Sequence, residues 1–265
     1  MFAVSLFAYA LIGTFAGFLA GLLGMSGGIV TVPCLLLVFT LMKFPTVALM
    51  QLAMGTSLAS MVFNAISATY SHHQEHEIDW TLVKRMLPGL ILGCIAGAFI
   101  SYLLPTSVLT LIFGIFAVVL GFYFFHQRPI QEIEKQISPG TPLLNLSGFG
   151  VSTLSNILGI GGGTMMVPLF VAFKMSMRIA VGSSAATGFI ISLGGAISYL
   201  IFGLGETTYP HTIGYIYLPA FLILSLTTFL AAPFGSRMTH RIASDRLKKY
   251  FALCLIGVGI FMMLS

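Results

Sequence analysis

The chain has 265 residues, of which 57% are hydrophobic and 7% charged, with a net charge of +5. A soluble domain carries about 25% charged residues, so this composition cannot cover a soluble surface and predicts a polytopic membrane protein. The basic excess fits the collection of Lys and Arg on the cytoplasmic side of membrane helices, and no nucleic acid is expected as a partner.

In chain order, the N-terminal run MFAVSLFAYALIG has no basic leader and reads as a retained first membrane element. Apolar runs then give five elements per half. The first half holds 2–23, 29–42, 46–71, 81–104 and 106–126, forming a first repeat over 1–126. The polar stretch HQRPIQEIEKQISPGTP supplies a cytoplasmic linker at 127–142. The second repeat, 143–265, holds 143–158, 164–175, 179–203, 213–236 and 246–264. Cys34, Cys94 and Cys254 all lie in apolar runs without ligand spacing and read as buried small hydrophobes.

The halves match in sequence. LGMSGGIVTVP (Leu23–Pro33) corresponds to LGIGGGTMMVP (Leu158–Pro168), and AMGTSLA (Ala53–Ala59) to AVGSSAA (Ala180–Ala186). This is an internal duplication, the usual build of secondary transporters. A helix starting near Pro33 and ending before Lys43 is about 15 Å long, and the corresponding piece from Pro168 to near Lys174 is no longer. The hydrocarbon core is about 30 Å thick. The first two elements of each half therefore predict a re-entrant hairpin whose glycine break sits near the midplane.

Charges set the orientation. Arg237–Lys249 carries five basic residues and should be cytoplasmic, whereas Gly205–Gly214 has no Lys or Arg and should be external. Lys43 falls outside, as the one violation. Three full crossings per half make the repeats inverted and put both termini outside. The expected class is an all-α polytopic membrane protein of two inverted repeats, each a broken, re-entrant helical hairpin plus three transmembrane helices.

Irregular backbone at membrane depth is tolerated where it lines a wet cavity, and glycine lets a ligand approach it. Two half-helix N-termini facing one cavity would attract an anion without a buried Lys or Arg. All seven Asp and Glu residues fall in loops or at boundaries, so no carboxylate is placed to bind a cation at depth. The expected substrate-binding residues are Ser26, Gly27, Gly28, Thr31, Gln51 and Ser57 from the first half. From the second come Asn156, Gly161, Gly162, Gly163, Thr164, Ser183 and Ser184. The same small residues also suit close helix packing. Neither a metal centre nor a cofactor is expected.

GLLGMSGGIVTVP, AMGTSLA followed by HEIDW, and SNILGIGGGTMMVP resemble the sulfite exporter TauE/SafE family, also called the 4-toluene sulfonate uptake permease family. The resemblance implies a multi-spanning bacterial inner-membrane permease for sulfite, organosulfonates or related small anions. The second half departs from the pattern: GETTYPHTIGYIY stands where a VDW-type sequence would follow.

Rival readings remain. His72 and His76, spaced i,i+4 in SHHQEHEID (Ser71–Asp79), suit a metal transporter if helical. The lack of a deep carboxylate leaves a passive anion channel open. No P-loop occurs, and no nucleophile–base pair lies at depth, so the chain is read as no enzyme. The expected partners are a small anion and the lipid bilayer, and a homo-oligomer is compatible with both.

Overall fold

The structure, a computed structural model, describes residues 2–23, 27–44, 46–126, 140–206, 209–238 and 244–264. Five helices come from the first half: α1 (Phe2–Leu23), α2 (Gly28–Leu41), α3 (Leu49–Gln74), α4 (Trp80–Leu103) and α5 (Thr106–His126). Five come from the second: α6 (Thr141–Leu158), α7 (Gly163–Ala172), α8 (Met177–Phe202), α9 (Leu218–Met238) and α10 (Ser244–Leu264). A two-stranded antiparallel ribbon, β1 (Thr212–Ile213) and β2 (Ile216–Tyr217), joins α8 to α9. Helices α1, α3, α4, α5, α8 and α9 are long and apolar enough to cross a membrane. Large side chains such as Phe7, Leu146 and Leu222 point outward, as lipid contact requires. The chain is an all-α, multi-pass membrane protein.

Local chemistry sets the ends. Asp79 caps α4, its Oδ1 accepting from Leu82 N at 3.0 Å. Helix α6 stops at left-handed Gly159 (φ 67°), where Ile160 N returns to Ser155 O at 3.0 Å. Pro33 and Pro168, expected in first turns, sit in the sixth position of α2 and α7, which begin at Gly28 and Gly163. Proline forfeits the bond back to residue i−4 and crowds that carbonyl, but both effects fall within the preceding turn, so one turn can form ahead of it. The hairpin members keep the unequal lengths expected from the sequence. The first members have 22 and 18 residues, about 33 and 27 Å, while α2 and α7 have 14 and 10. The short piece is therefore the second member alone.

Helix pairing is preserved when the halves are exchanged. Helix α1 packs along α9, and its equivalent α6 along α4; α3 contacts α2 and α9, and α8 contacts α7 and α4. Both long pairs are parallel and close. Gly13 and Gly17 of α1 abut Leu224 and Thr228 of α9, while Gly89, Gly93 and Gly97 of α4 abut Asn145, Phe149 and Thr153 of α6. Without Cβ atoms these backbones approach closely enough for dispersion to hold them in lipid. Equivalent helices run antiparallel. In α5 and α10, Gly114 meets Gly259 and Gly121 meets Ala252; in α3 and α8, Gly55 meets Tyr199 and Leu58 meets Gly195.

Of the cysteines, only Cys94 is buried; Cys34 is half-buried and Cys254 is exposed on an apolar outer face. In a membrane, an apolar run need not face the interior. Ser26, residues 127–139 of the expected linker, and part of the basic run Arg237–Lys249 lie outside the described residues.

Candidate functional site

The second glycine break is built by sequence. Gly159, Gly161 and Gly162 have φ of 67°, 66° and 77°, a region that a side chain makes costly. Gly162 starts α7 by accepting from Met165 N and Met166 N, both at 3.0 Å. In the first break, Gly27 O likewise accepts from Val30 N and Thr31 N at 3.1 Å, and from Thr31 Oγ1 at 3.0 Å.

The two breaks touch. A Cβ on Gly28 would lie 2.7 Å from Gly159 O and 2.8 Å from Ile160 Cα. The contact lies beside Met61, halfway along α3. Directly next to it is a cavity of about 390 Å³, within the range of small-molecule sites. Gly27, Gly161 and Gly163 border it, with Ala20 and Gly21 of α1. Helix α3 adds Asn64, Ser67, Ala68, Ser71 and His72; α8 adds Val181, Ser184, Ala185, Gly188 and Ser192; α9 adds Phe229, Ala232 and Pro233. The cavity thus runs from the breaks towards the C-terminal end of α3 and the N-terminal end of α8.

The opposite end is sealed. Tyr199 is 1% exposed and donates to Asn156 O at 2.9 Å and to Met54 Sδ at 3.3 Å. The Tyr215 ring packs on it edge-on at 6.4 Å, and rings of Tyr9, Phe39, Phe44, Tyr209 and Tyr217 pack on one another in the same core cluster, Phe44 and Tyr209 in a stack. Three of these tyrosines come from GETTYPHTIGYIY. Tyr217 N donates to Thr56 Oγ1 at 3.0 Å, and Tyr215 N to Tyr199 O at 3.2 Å.

The α3–α4 loop docks on α8 by the same bonds. Asp79 N donates to Ser183 Oγ at 3.0 Å, and Glu77 N to His72 O at 3.0 Å. Glu77 O lies against Gly182 as Tyr215 O lies against Gly55. Glu77-Ile78-Asp79 and Tyr215-Ile216-Tyr217 are therefore structural equivalents, although the second lacks the expected sequence. The exchange also maps the cavity onto the seal. Gly21, Ala68, His72, Val181, Ser184 and Ala185 line the cavity. Their equivalents, Asn156, Gly195, Tyr199, Met54, Ser57 and Leu58, are packed together, Gly195 against Asn156 and Leu58, and Ser57 Oγ against Gly159 O at 3.0 Å. A packed contact in one half is open space in the other.

Of the residues singled out from sequence, Gly27, Gly161, Gly163 and Ser184 face the cavity. Gly28, Thr31, Ser57, Asn156, Gly162 and Thr164 lie around or behind the breaks, and all six are buried. Asn156 Oδ1 is buried without a hydrogen-bond partner. Gln51 and Ser183 serve elsewhere: Gln51 Nε2 caps α4 through Ser101 O (3.1 Å) and Leu104 O (2.8 Å), and Ser183 holds the α3–α4 loop. Ser67, Ser71, His72 and Ser192 were not expected here. The signal was the spacing 64, 67/68, 71/72 on α3, one helical face; it was hidden by ending that helix at 71 when it runs to Gln74. Among the described residues, no three His, Cys, Asp or Glu side chains gather as a metal site.

The sequence pattern described as sulfite exporter TauE/SafE matches residues 9–262. A "Probable membrane transporter protein" of Haemophilus influenzae is 36% identical over 261 residues, covering 96% of this chain and 97% of that protein. Another, of Methanocaldococcus jannaschii, is 27% identical over 255 residues, covering 96% and 94%. No solved structure matches.

Proposed function

This chain belongs to the sulfite exporter TauE/SafE family and is a membrane transporter, and we propose that it carries small sulfur-containing or organic anions, such as sulfite or organosulfonates, by alternating access. The observation that carries the reading is the cavity bordered by both glycine breaks and matched, across the exchange of halves, by a packed seal. Substrate sits between the N-terminal ends of α2 and α7, whose aligned peptides favour negative charge. The amide of Asn64 and the hydroxyl of Ser67 supply neutral donors, while the hydroxyls of Ser184 and Ser192 donate to Val181 O (2.7 Å) and Gly188 O (2.8 Å) of their own helix, and no described carboxylate lines the cavity to repel an anion.

Transport needs the cavity and the seal to trade places. The equivalence of their residues makes that exchange a swap of two similar packings, the economy of inverted repeats rocking about a fixed site. We read the two halves as inverted repeats in a bacterial inner membrane, with the cavity open to the cytoplasm and both termini outside. A passive channel is disfavoured, because the tyrosine seal interrupts any continuous path. A metal transporter is disfavoured by the absence of clustered ligands among the described residues.

Purified protein should gain thermal stability from sulfite or methanesulfonate and not from divalent cations. At ten times the dissociation constant the gain is about 1.4 kcal/mol. Stabilisation by divalent metals alone, lost in His72→Gln, would overturn the anion reading.

A further inference from the structure

The residue on the open cavity that corresponds to Tyr199 is His72. Both follow a matching serine, Ser71 or Ser198, and both accept a backbone bond from the loop that ends their helix. Tyr199 closes its end by reaching the last-turn carbonyl of α6, at Asn156. The residue equivalent to Asn156 is Gly21 in the last turn of α1, across the cavity from His72. His72 is instead paired with Glu77, Nδ1 to Oε2 at 2.7 Å, both about a quarter exposed. Among the described lining residues, His72 is the one ionisable side chain.

We infer that His72 and Glu77 form a protonatable gate on the transport path, the counterpart of the Tyr199–Tyr215 seal, so that closing the cavity takes up one proton from water. The inference rests on the anion-transport reading above. Closure carries the pair into the protein, as Tyr199 already is. A buried charge is tolerated only when it is paired and hydrogen-bonded. Imidazolium and carboxylate enter together as a neutral pair; with imidazole neutral, Glu77 would enter as an unpaired anion and the gate stays open. The other described charged or titratable groups near the pair belong to its own loop or to the start of α8. They are His73, which accepts from Trp80 Nε1 at 3.2 Å, then Glu75, His76 and Asp79, and Arg178. The described lining from α1 and α9 adds none. The tyrosine seal has no such switch: burial pushes the Tyr215 phenol up to about 12, with Glu206 and Tyr102 adding to the effect.

The test is counterflow of labelled methanesulfonate in proteoliposomes, with equal pH on both sides, from pH 8.5 to 5.5. A sulfonate keeps its charge across this range, whereas sulfite itself titrates. Wild-type flux should rise about tenfold as pH falls through the range where histidine charges. His72→Gln should be slow and flat with pH. His72→Lys, permanently charged beside Glu77, should be fast and flat. Glu77→Gln, which removes the acid favouring imidazolium, should move the midpoint of the flux profile to lower pH. A folded H72Q or H72K protein with the wild-type profile overturns the gate and leaves anion transport standing. Absence of saturable flux in the wild type overturns both.

Discussion

At the scale of single residues, glycine does two different jobs here. Gly159, Gly161 and Gly162 hold backbone at positive φ. Gly28 is helical, and what it provides is room for the other break's backbone. Sequence inspection treats these alike, because both are glycines in aligned motifs. The distinction sets a prediction. Gly28→Ala puts a Cβ 2.7–2.8 Å from Gly159 O and Ile160 Cα, atoms that cannot rotate away. It should cost roughly 1–3 kcal/mol and reduce transport sharply. Gly150→Ala meets nothing within 4 Å in mid-helix, and should be neutral or stabilising by up to about 1 kcal/mol. Thermal unfolding and methanesulfonate uptake measure both, and equal behaviour of the two variants would show that the breaks do not need contact.

At the scale of elements, the half-helices and the two docked loops set the ends of the path. Helices α2 and α7 each end on a left-handed lysine, Lys43 (φ 58°) and Lys174 (φ 60°), with Phe44 N returning to Phe39 O and Met175 N to Phe170 O. Lys43 and Lys174 thus hold equivalent backbone positions at the ends of the two short helices. The ribbon carrying Tyr215 and Tyr217 is the element the sequence hid best. Its equivalence to Glu77-Ile78-Asp79 lies in backbone bonds to Thr56 and Ser183, not in side-chain identity. Removing the Tyr199 hydroxyl as Tyr199→Phe deletes its bond to Asn156 O, worth about 1 kcal/mol. That should raise the open population of the seal by roughly fivefold. In a background without Cys34, Cys94 and Cys254, a cysteine at the fully buried Met54 should resist an impermeant maleimide. It should label several times faster once Tyr199→Phe is added, and an unchanged rate would move the seal elsewhere in the ring cluster.

At the scale of the whole molecule, the exchange of halves is the organising fact. The pairs α1 with α9 and α6 with α4 cross between halves, and α3, α5, α8 and α10 meet their own equivalents. Neither half packs as an independent unit, so the halves can tilt against each other only along shared interfaces. An axis along the membrane normal would make equivalent helices parallel; α3 and α8 are antiparallel, which favours an axis in the membrane plane. The exposed ends of α3 and α8 should then face opposite compartments. Single cysteines at Gln74 and Leu204, without the native cysteines, should label from the cytoplasmic and external sides respectively. Labelling of both from one side would remove the inverted arrangement and the alternating mechanism with it.

Composition alone determined that this chain lives in a membrane, because 7% charged residues cannot solvate a surface. Periodic apolar runs located all ten of the described helices, and the doubled glycine motifs located both breaks, since proline and clustered glycine act locally on the backbone. Helix ends drifted where the deciding bond was tertiary. Helix α3 continues past 71 because its last turn packs on its own loop, with Glu77 N bonding back to His72 O. That slip of three residues moved His72 from the cavity wall to a solvated loop. Which polar residues face the cavity was a matter for the tertiary structure. Gln51, Ser57 and Ser184 are chemically alike to a reader of the chain, but they end on a helix cap, a packed seam and an open wall. The difference arises because the same contact is closed in one half and open in the other. Sequence symmetry specifies both partners equally, and only the packing of one conformation decides which half is open.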